Sequence, residues 1–164
     1  MEGRSPPCLP AVHLVYASES LQLHLFPEQA LLRLRWRLGV TTEGFHQGLI
    51  AAVSVTQAQR LRNWVTLNHH VYPLGPAEQL WLQEHALLPL DRGSLRQVAI
   101  VLPAAAFRVS AHESLVASSR ALVSYQIDYF PTLHLAASGC CSASLAGRLR
   151  RENSPALTRW RGIR

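Results

Sequence analysis

The chain has 164 residues, of which 48% are apolar and 16% charged, and its formal net charge is +6. This balance excludes an intrinsically disordered protein and predicts one globular domain with a substantial core. Three cysteines, two of them adjacent, imply no disulfide framework and favour a reducing compartment, so we expect a cytoplasmic protein.

The positive charge is concentrated near the C-terminus. All sixteen basic residues are arginine. The segment after Ser142 contains six of these arginines and one acidic residue, so its net charge is +5. We therefore predict a disordered N-terminus over 1–12, a globular domain over 13–141 and a flexible basic tail over 142–164. No apolar run reaches the roughly 20 residues of a membrane-spanning helix, so we expect no transmembrane segment.

Alternating patterns predict the first two strands. Apolar residues occupy every second position over 21–25 and again over 32–36, where arginines separate them. Period-two alternation is typical of a strand with one buried and one solvated face. The connection over 26–29 contains a proline and is typical of a turn, so the two strands are predicted to form an antiparallel hairpin.

Helices and strands then alternate. Thr41 is suited to cap a helix that extends to about Arg60, and residues 64–68 form an apolar run that predicts a third strand. Pro76 can start a second helix in its first turn, and Pro89 is expected to end that helix.

The second half continues this order. A near-continuous apolar run over 95–102 predicts a central strand covered on both faces. A capping box at 110–113 predicts a helix to about Tyr125, followed by a strand over 127–130 and a short helix over 131–138. The pattern predicts an α/β fold with a mixed β-sheet of about five strands and helices packed on it.

Several landmarks match a known family pattern. They are a Trp and a Gly before a Thr-capped helix with an early Phe, a strand that begins with Trp and ends in a polar residue, a helix with a Trp before a Pro and a Gly, an apolar strand, and a late Phe before an Ala-containing helix. The residues are Trp36, Gly39, Thr41, Phe45, Trp64, Asn68, Trp81, Pro89, Gly93, Val98, Ala99, Ile100, Val101, Phe130 and Ala136. Over about residues 13–141 the chain resembles the SpoIIAA-like (STAS-like) single-domain family of bacteria, as found in Bacteroidetes.

The resemblance implies a fold related to anti-sigma-factor antagonists and to CRAL-TRIO lipid-binding domains, and it implies no established enzyme activity. Our first hypothesis is therefore a non-enzymatic regulatory or protein-interaction module that acts on an unknown protein partner through the sheet edge or a helix face. True antagonists are switched at a Ser or Thr near the start of the helix after the third strand. The connection over 68–76 contains neither residue, so no such phospho-switch is expected.

The tryptophans suggest an alternative function. Trp36, Trp64 and Trp81 can line a pocket for a small apolar ligand, which would make the protein a carrier or sensor. Equally, three tryptophans in a domain of this size can simply belong to its core. A bound molecule that survives purification would distinguish the two interpretations.

The tail offers a third surface. Its arginines can contact the phosphates of nucleic acid or of an anionic membrane, or they can merely make the end soluble. The candidate residues are Arg148, Arg150, Arg151, Arg159 and Arg161.

The sequence gives little support for a metal site or a catalytic site. His69 and His70 are adjacent and would point to opposite faces of an extended segment, so a shared metal with His46 or His85 is not expected. No nucleophile elbow, P-loop or dinucleotide-binding motif is present, and we predict no cofactor. A hydrolase with an unrecognised site is a third functional hypothesis, and it is weaker than the interaction module and the ligand carrier.

Overall fold

The computed structural model describes residues 11–68, 75–102 and 121–136. These residues form six strands and the helices between them. In chain order the elements are β1 (His13–Ala17), β2 (Leu21–Phe26), a 3-10 turn (Pro27–Gln29), β3 (Leu31–Trp36), α1 (Thr42–Gln59), β4 (Asn63–Leu67), α2 (Pro76–Leu82), a π-helical segment (Gln83–Leu87), α3 (Leu88–Asp91), β5 (Gln97–Val101) and β6 (Gln126–Phe130).

All six strands belong to one mixed sheet, and each lies beside its neighbour in sequence. The first three pair antiparallel, whereas β3, β4, β5 and β6 pair parallel. Helix α1 connects β3 to β4, and the helical stretch from α2 to α3 connects β4 to β5. The predicted α/β class with a mixed sheet is confirmed.

Strand β1 is an additional strand that the sequence pattern did not predict. It pairs with β2, but the pairing shifts between Leu14 and Tyr16, where a bulge leaves Val15 as the extra residue. A bulge interrupts the two-residue alternation by which a strand is detected. The sheet therefore has six strands rather than about five.

Helix α1 matches its prediction. The Thr41 hydroxyl accepts a hydrogen bond from the Gly44 backbone N–H at 3.1 Å and so caps the first turn. The helix ends at Gln59, and Arg60 follows in the left-handed conformation with φ of 50°. The Thr41 cap accounts for the start of the helix, and the left-handed conformation of Arg60 marks its end.

The second helical stretch begins at Pro76 as predicted, but Pro89 does not end it. The chain remains helical to Asp91 because a π-helical segment precedes the proline. In this segment the Leu88 N–H donates to the Gln83 carbonyl, five residues back. Pro89 then lies in the first turn of α3, the part of a helix that tolerates a residue without an N–H.

The sheet has two differently packed faces. The helix-covered face holds the larger apolar cluster, which includes Leu23, Leu32, Leu49, Trp64 and Ile127. The opposite face holds a smaller buried cluster: Leu31, Val65, Leu67, Ala99, Val101 and Ala136. Within the described ranges, no helix is long and apolar enough to cross a membrane.

Several predictions fall on other parts of the chain. The predicted helix over 110–125 lies largely outside the described residues, as do most of the N-terminal segment and all of the tail over 142–164. The division into 1–12, 13–141 and 142–164 stays a prediction, and so does a cytoplasmic location. A helical turn over 133–136 agrees with the start of the predicted final helix.

Candidate functional sites

Five aromatic and imidazole rings form a continuous group that we call the aromatic–histidine cluster: Trp36, Phe45, His46, Trp81 and His85. Trp36 is the last residue of β3, the next two lie near the start of α1, and the last two come from α2 and the π-helical segment. The cluster therefore lies toward the carboxyl end of the parallel strands. Ligands of open α/β sheets bind outside this end.

Each ring of this cluster contacts the next one in space. The centroids of Trp36 and Phe45 are 5.2 Å apart, and those of Phe45 and His46 are 6.2 Å apart. Trp81 stacks on His46 at 3.7 Å with an interplanar angle of 13°, and on His85 at 4.8 Å with an angle of 5°. One indole is thus in stacking contact with two imidazoles.

The two imidazoles differ in their hydrogen bonding. Nδ1 of His85 lies 3.1 Å from the Trp81 carbonyl oxygen. A carbonyl only accepts, so Nδ1 carries the proton and Nε2 of a neutral His85 keeps its lone pair. Nε2 of His46 is buried and has no hydrogen-bond partner in the part of the chain that the structure describes. A buried unpaired nitrogen costs about 1–3 kcal/mol, so His46 has an unmet capacity to bond a further group.

Gly48 permits the close packing of Trp36. A Cβ at this position would lie 3.0 Å from Cη2 of Trp36 and 2.9 Å from Cδ2 of Leu21. The absence of a side chain lets α1 approach the end of β3 closely. This approach holds Trp36 beside Phe45.

Trp64 lies elsewhere on the helix-covered face. Its register partner on β3 is Leu32, four residues before Trp36, which corresponds to about 13 Å along a strand. The indole is buried, and its Nε1–H donates to the Thr56 hydroxyl at 2.6 Å. The structure therefore brings Trp36 and Trp81 into one cluster and leaves Trp64 in the core, and ligand binding by any of them stays a prediction.

The remaining sequence candidates are not all covered by the structure. His69 and His70 lie outside the described residues, and so do Arg148, Arg150, Arg151, Arg159 and Arg161. Among the residues that are described, no group of three His, Cys, Asp or Glu side chains is placed to hold a metal ion.

Strand β1 forms a second candidate surface, which we call the apolar edge. Val12, directly before the strand, is 45% exposed, and within the strand Leu14 is 56% and Val15 40% exposed. In the described ranges β1 pairs only with β2, and none of its five residues is Asp, Glu, Lys or Arg. The opposite edge strand, β6, carries Asp128 at its centre.

Sequence reasoning missed most of these features. The i, i+4 spacing of Trp81 and His85 on a predicted helix was a signal that their side chains meet. No sequence signal pairs His46 with Trp81, because they lie on different helices. Strand β1 was hidden by its bulge.

Comparison with protein-family models, with curated proteins and with solved structures finds no match for this chain. Function is therefore inferred from the surfaces themselves.

Proposed function

We propose that the protein is a non-enzymatic interaction module of the STAS-like type. In this proposal it binds a protein partner by adding an extended segment of that partner to the outer side of β1. The observation that supports the proposal most directly is the apolar edge, where Val12, Leu14 and Val15 are all at least 40% exposed.

An exposed edge strand offers a row of backbone N–H and C=O groups to another chain. Native proteins usually protect such strands with charged residues, and Asp128 on β6 fits that pattern. Strand β1 has no Asp, Glu, Lys or Arg, and its apolar side chains remain in solvent. Leaving this surface uncovered is unfavourable, so a partner segment that covers it gains both backbone hydrogen bonds and apolar burial.

The bulge at Val15 adds specificity to this edge. It breaks the regular ladder between Leu14 and Tyr16, so a flat strand cannot pair along the whole of β1. A partner segment must either pair with β1 on one side of the bulge only or have a backbone shape that matches the bulge. This requirement disfavours indiscriminate strand addition while leaving room for one matched segment.

A site-specific crosslinking experiment tests the proposal. A photoreactive amino acid replaces Val15 in the full-length chain, and a matched probe replaces Ile50, which is 44% exposed on α1. Both proteins are irradiated in their own cells, and crosslinked partners are identified by mass spectrometry. The proposal expects one partner enriched at position 15, and crosslinking of equal yield at both positions would contradict it.

Binding of the purified partner then gives the quantitative test. Val15→Lys places a charge on the apolar edge and should weaken binding at least tenfold, whereas Ile50→Lys should leave the affinity within twofold. Sedimentation of the protein alone shows whether the partner is a second copy of the chain. Unchanged affinity of a folded Val15→Lys protein would refute the proposed edge.

A small apolar ligand at the aromatic–histidine cluster is the second candidate function. The stacked rings of His46, Trp81 and His85 favour it, because aromatic walls suit apolar ligands. The π-helical segment beside Trp81 also favours it, because such segments are frequent at functional sites. Native mass spectrometry of protein from its own cells should show an added small mass. Trp81→Leu should remove this added mass. The control Leu80→Ala, which changes an exposed neighbouring residue, should retain it. A wild-type protein without any added mass would argue against this function.

A further inference from the structure

Four polar side chains form a compact group on the opposite face of the sheet, and we call this group the cationic patch. Its members are Gln22 and His24 on β2, and Arg33 and Arg35 on β3. His24 pairs directly with Arg33, and Gln22 with Arg35. Directly opposed side chains have Cβ atoms about 4.5–5.5 Å apart, and alternate residues of a strand are about 6.6 Å apart. The four side chains therefore extend from one small area of the sheet.

The positive charge of this patch has no counterion among the described residues. Neither arginine forms an ion pair with a carboxylate in the described part of the chain, and Leu14 is the β1 residue opposite His24. The pKa of His24 is lowered by its burial and by the charges of Arg33 and Arg35. Arg33 and Arg35, two residues apart on the same face of β3, thus hold like charges near each other, and an anion bound between them would offset their repulsion.

Two hydrogen-bonding atoms of the patch are also unsatisfied. Nε of Arg33 and Nδ1 of His24 are both buried and have no hydrogen-bond partner among the described residues. Nε of arginine is only a donor, so it needs an acceptor. The Arg33 guanidinium is held in place over the Phe26 ring, with Cζ 5.2 Å from the ring centroid. A positioned cation with an unused donor is suited to receive an oxyanion.

The number and placement of the cations favour phosphate over carboxylate. One planar carboxylate is satisfied by a single guanidinium fork, whereas a tetrahedral phosphate can accept from several donors around it. The patch offers two guanidinium groups, an imidazole and a side-chain amide, from two strands. A phosphate dianion would also compensate more of the local charge.

We propose that the cationic patch binds the phosphate group of a small ligand, either inorganic phosphate or a phosphomonoester. The patch lies on a broad face of the sheet, whereas the proposed partner strand adds at the edge of β1. The two proposals are independent, and Val15→Lys should leave phosphate binding unchanged.

Chemical-shift perturbation on the full-length, isotope-labelled protein tests this proposal. Inorganic phosphate, glycerol 3-phosphate and acetate are titrated separately at low ionic strength, and backbone amides are followed. We expect saturable shifts concentrated at residues 22–26 and 31–36 with a phosphate compound, and much weaker effects with acetate. Tighter binding of the phosphomonoester would identify the ester as the ligand class, and tighter binding of inorganic phosphate would identify the free anion.

Variants separate the patch from the other arginines of the chain. Arg33→Gln and Arg35→Gln should each weaken phosphate binding at least tenfold, whereas Arg62→Gln, an exposed arginine outside the patch, should change it less than twofold. Arg33→Lys keeps the positive charge but removes the Nε donor, and it should also weaken phosphate binding. Because this conservative variant is expected to fold, its loss of binding would show that the loss in Arg33→Gln is not a folding defect. Equal affinities in Arg33→Gln and Arg62→Gln, shifts that avoid the patch, or acetate binding as tight as phosphate binding would overturn the proposal.

Discussion

The Trp64 indole N–H donates a hydrogen bond of 2.6 Å to the Thr56 hydroxyl, which in turn donates to the Ala52 carbonyl at 2.7 Å. Both residues are buried, and the pair connects the second half of α1 to β4. Trp64 is therefore an anchored core residue. Its polar atom is satisfied within the protein and does not need a ligand.

Replacing Thr56 with Val should destabilise the protein. Val keeps the shape but removes the acceptor, so the buried Trp64 N–H loses its partner at a cost of about 1–3 kcal/mol. Chemical denaturation followed by tryptophan fluorescence measures this loss. Ser54 makes the same type of bond to the Ile50 carbonyl at an exposed position, so Ser54→Ala is the matched control and should change the free energy of unfolding by less than about 0.5 kcal/mol. Equal effects of the two substitutions would contradict the assigned role of Thr56.

Gly48→Ala should strain the contact between α1 and β3. The new Cβ would meet Leu21 and Trp36 at 2.9 and 3.0 Å, and overpacking of this kind costs about 1–3 kcal/mol. A gain of about 1 kcal/mol from helix propensity offsets part of the cost. Since Leu21 is fully buried, we expect a net loss of stability. In a Trp36→Phe background the loss should shrink, and a double-mutant cycle with no coupling between the two positions would contradict this account.

The Asp91 carboxylate should make stability depend on pH in acid. It accepts hydrogen bonds from the Ser124 backbone N–H at 2.6 Å and from the Ser124 hydroxyl at 2.7 Å. These bonds lower the pKa of Asp91. Because the folded-state pKa lies below the unfolded one, the stabilisation is present above about pH 4 and is lost as pH falls through the lowered value.

Asp91→Asn should remove this acid-dependent component. Unfolding by urea at a series of pH values from neutral to strongly acidic measures it. Glu84→Gln changes an exposed carboxylate of the same helical stretch and should follow the wild-type profile. A wild-type slope in the Asp91→Asn protein would show that Asp91 does not stabilise the fold in this way.

His24 should produce a pH dependence of its own. Burial lowers its pKa first, and the charges of Arg33 and Arg35 lower it further. A lowered pKa means that the unfolded chain binds the proton more readily, so the free energy of unfolding falls as pH drops below about 6.5 and levels off below the folded-state pKa. His24→Gln should flatten this part of the profile, whereas His13→Gln, at an exposed position, should not. Parallel wild-type and His24→Gln profiles in phosphate-free buffer would count against the effect.

Local features of the sequence determined much of the fold. The alternation over 21–36, the Thr41 cap and the apolar run before Leu102 predicted β2, β3, α1 and β5 close to their observed positions. Each depends on residues within a few positions of one another, so periodicity and capping chemistry are sufficient. Pro89 was misleading because the π-helical segment, which depends on backbone pairing over five residues, carries the helix past it.

The candidate sites depend on contacts between distant residues. His46 meets Trp81 because α1 and the next helical stretch pack side by side, and β1 becomes an exposed edge because it pairs only with β2 in the described sheet. The sequence by itself determined which segments are strands and helices and that Arg33 and Arg35 share a face. Only the tertiary structure placed His24 opposite Arg33, because the register between two strands decides which side chains are neighbours, and periodicity within one strand carries no information about its partner.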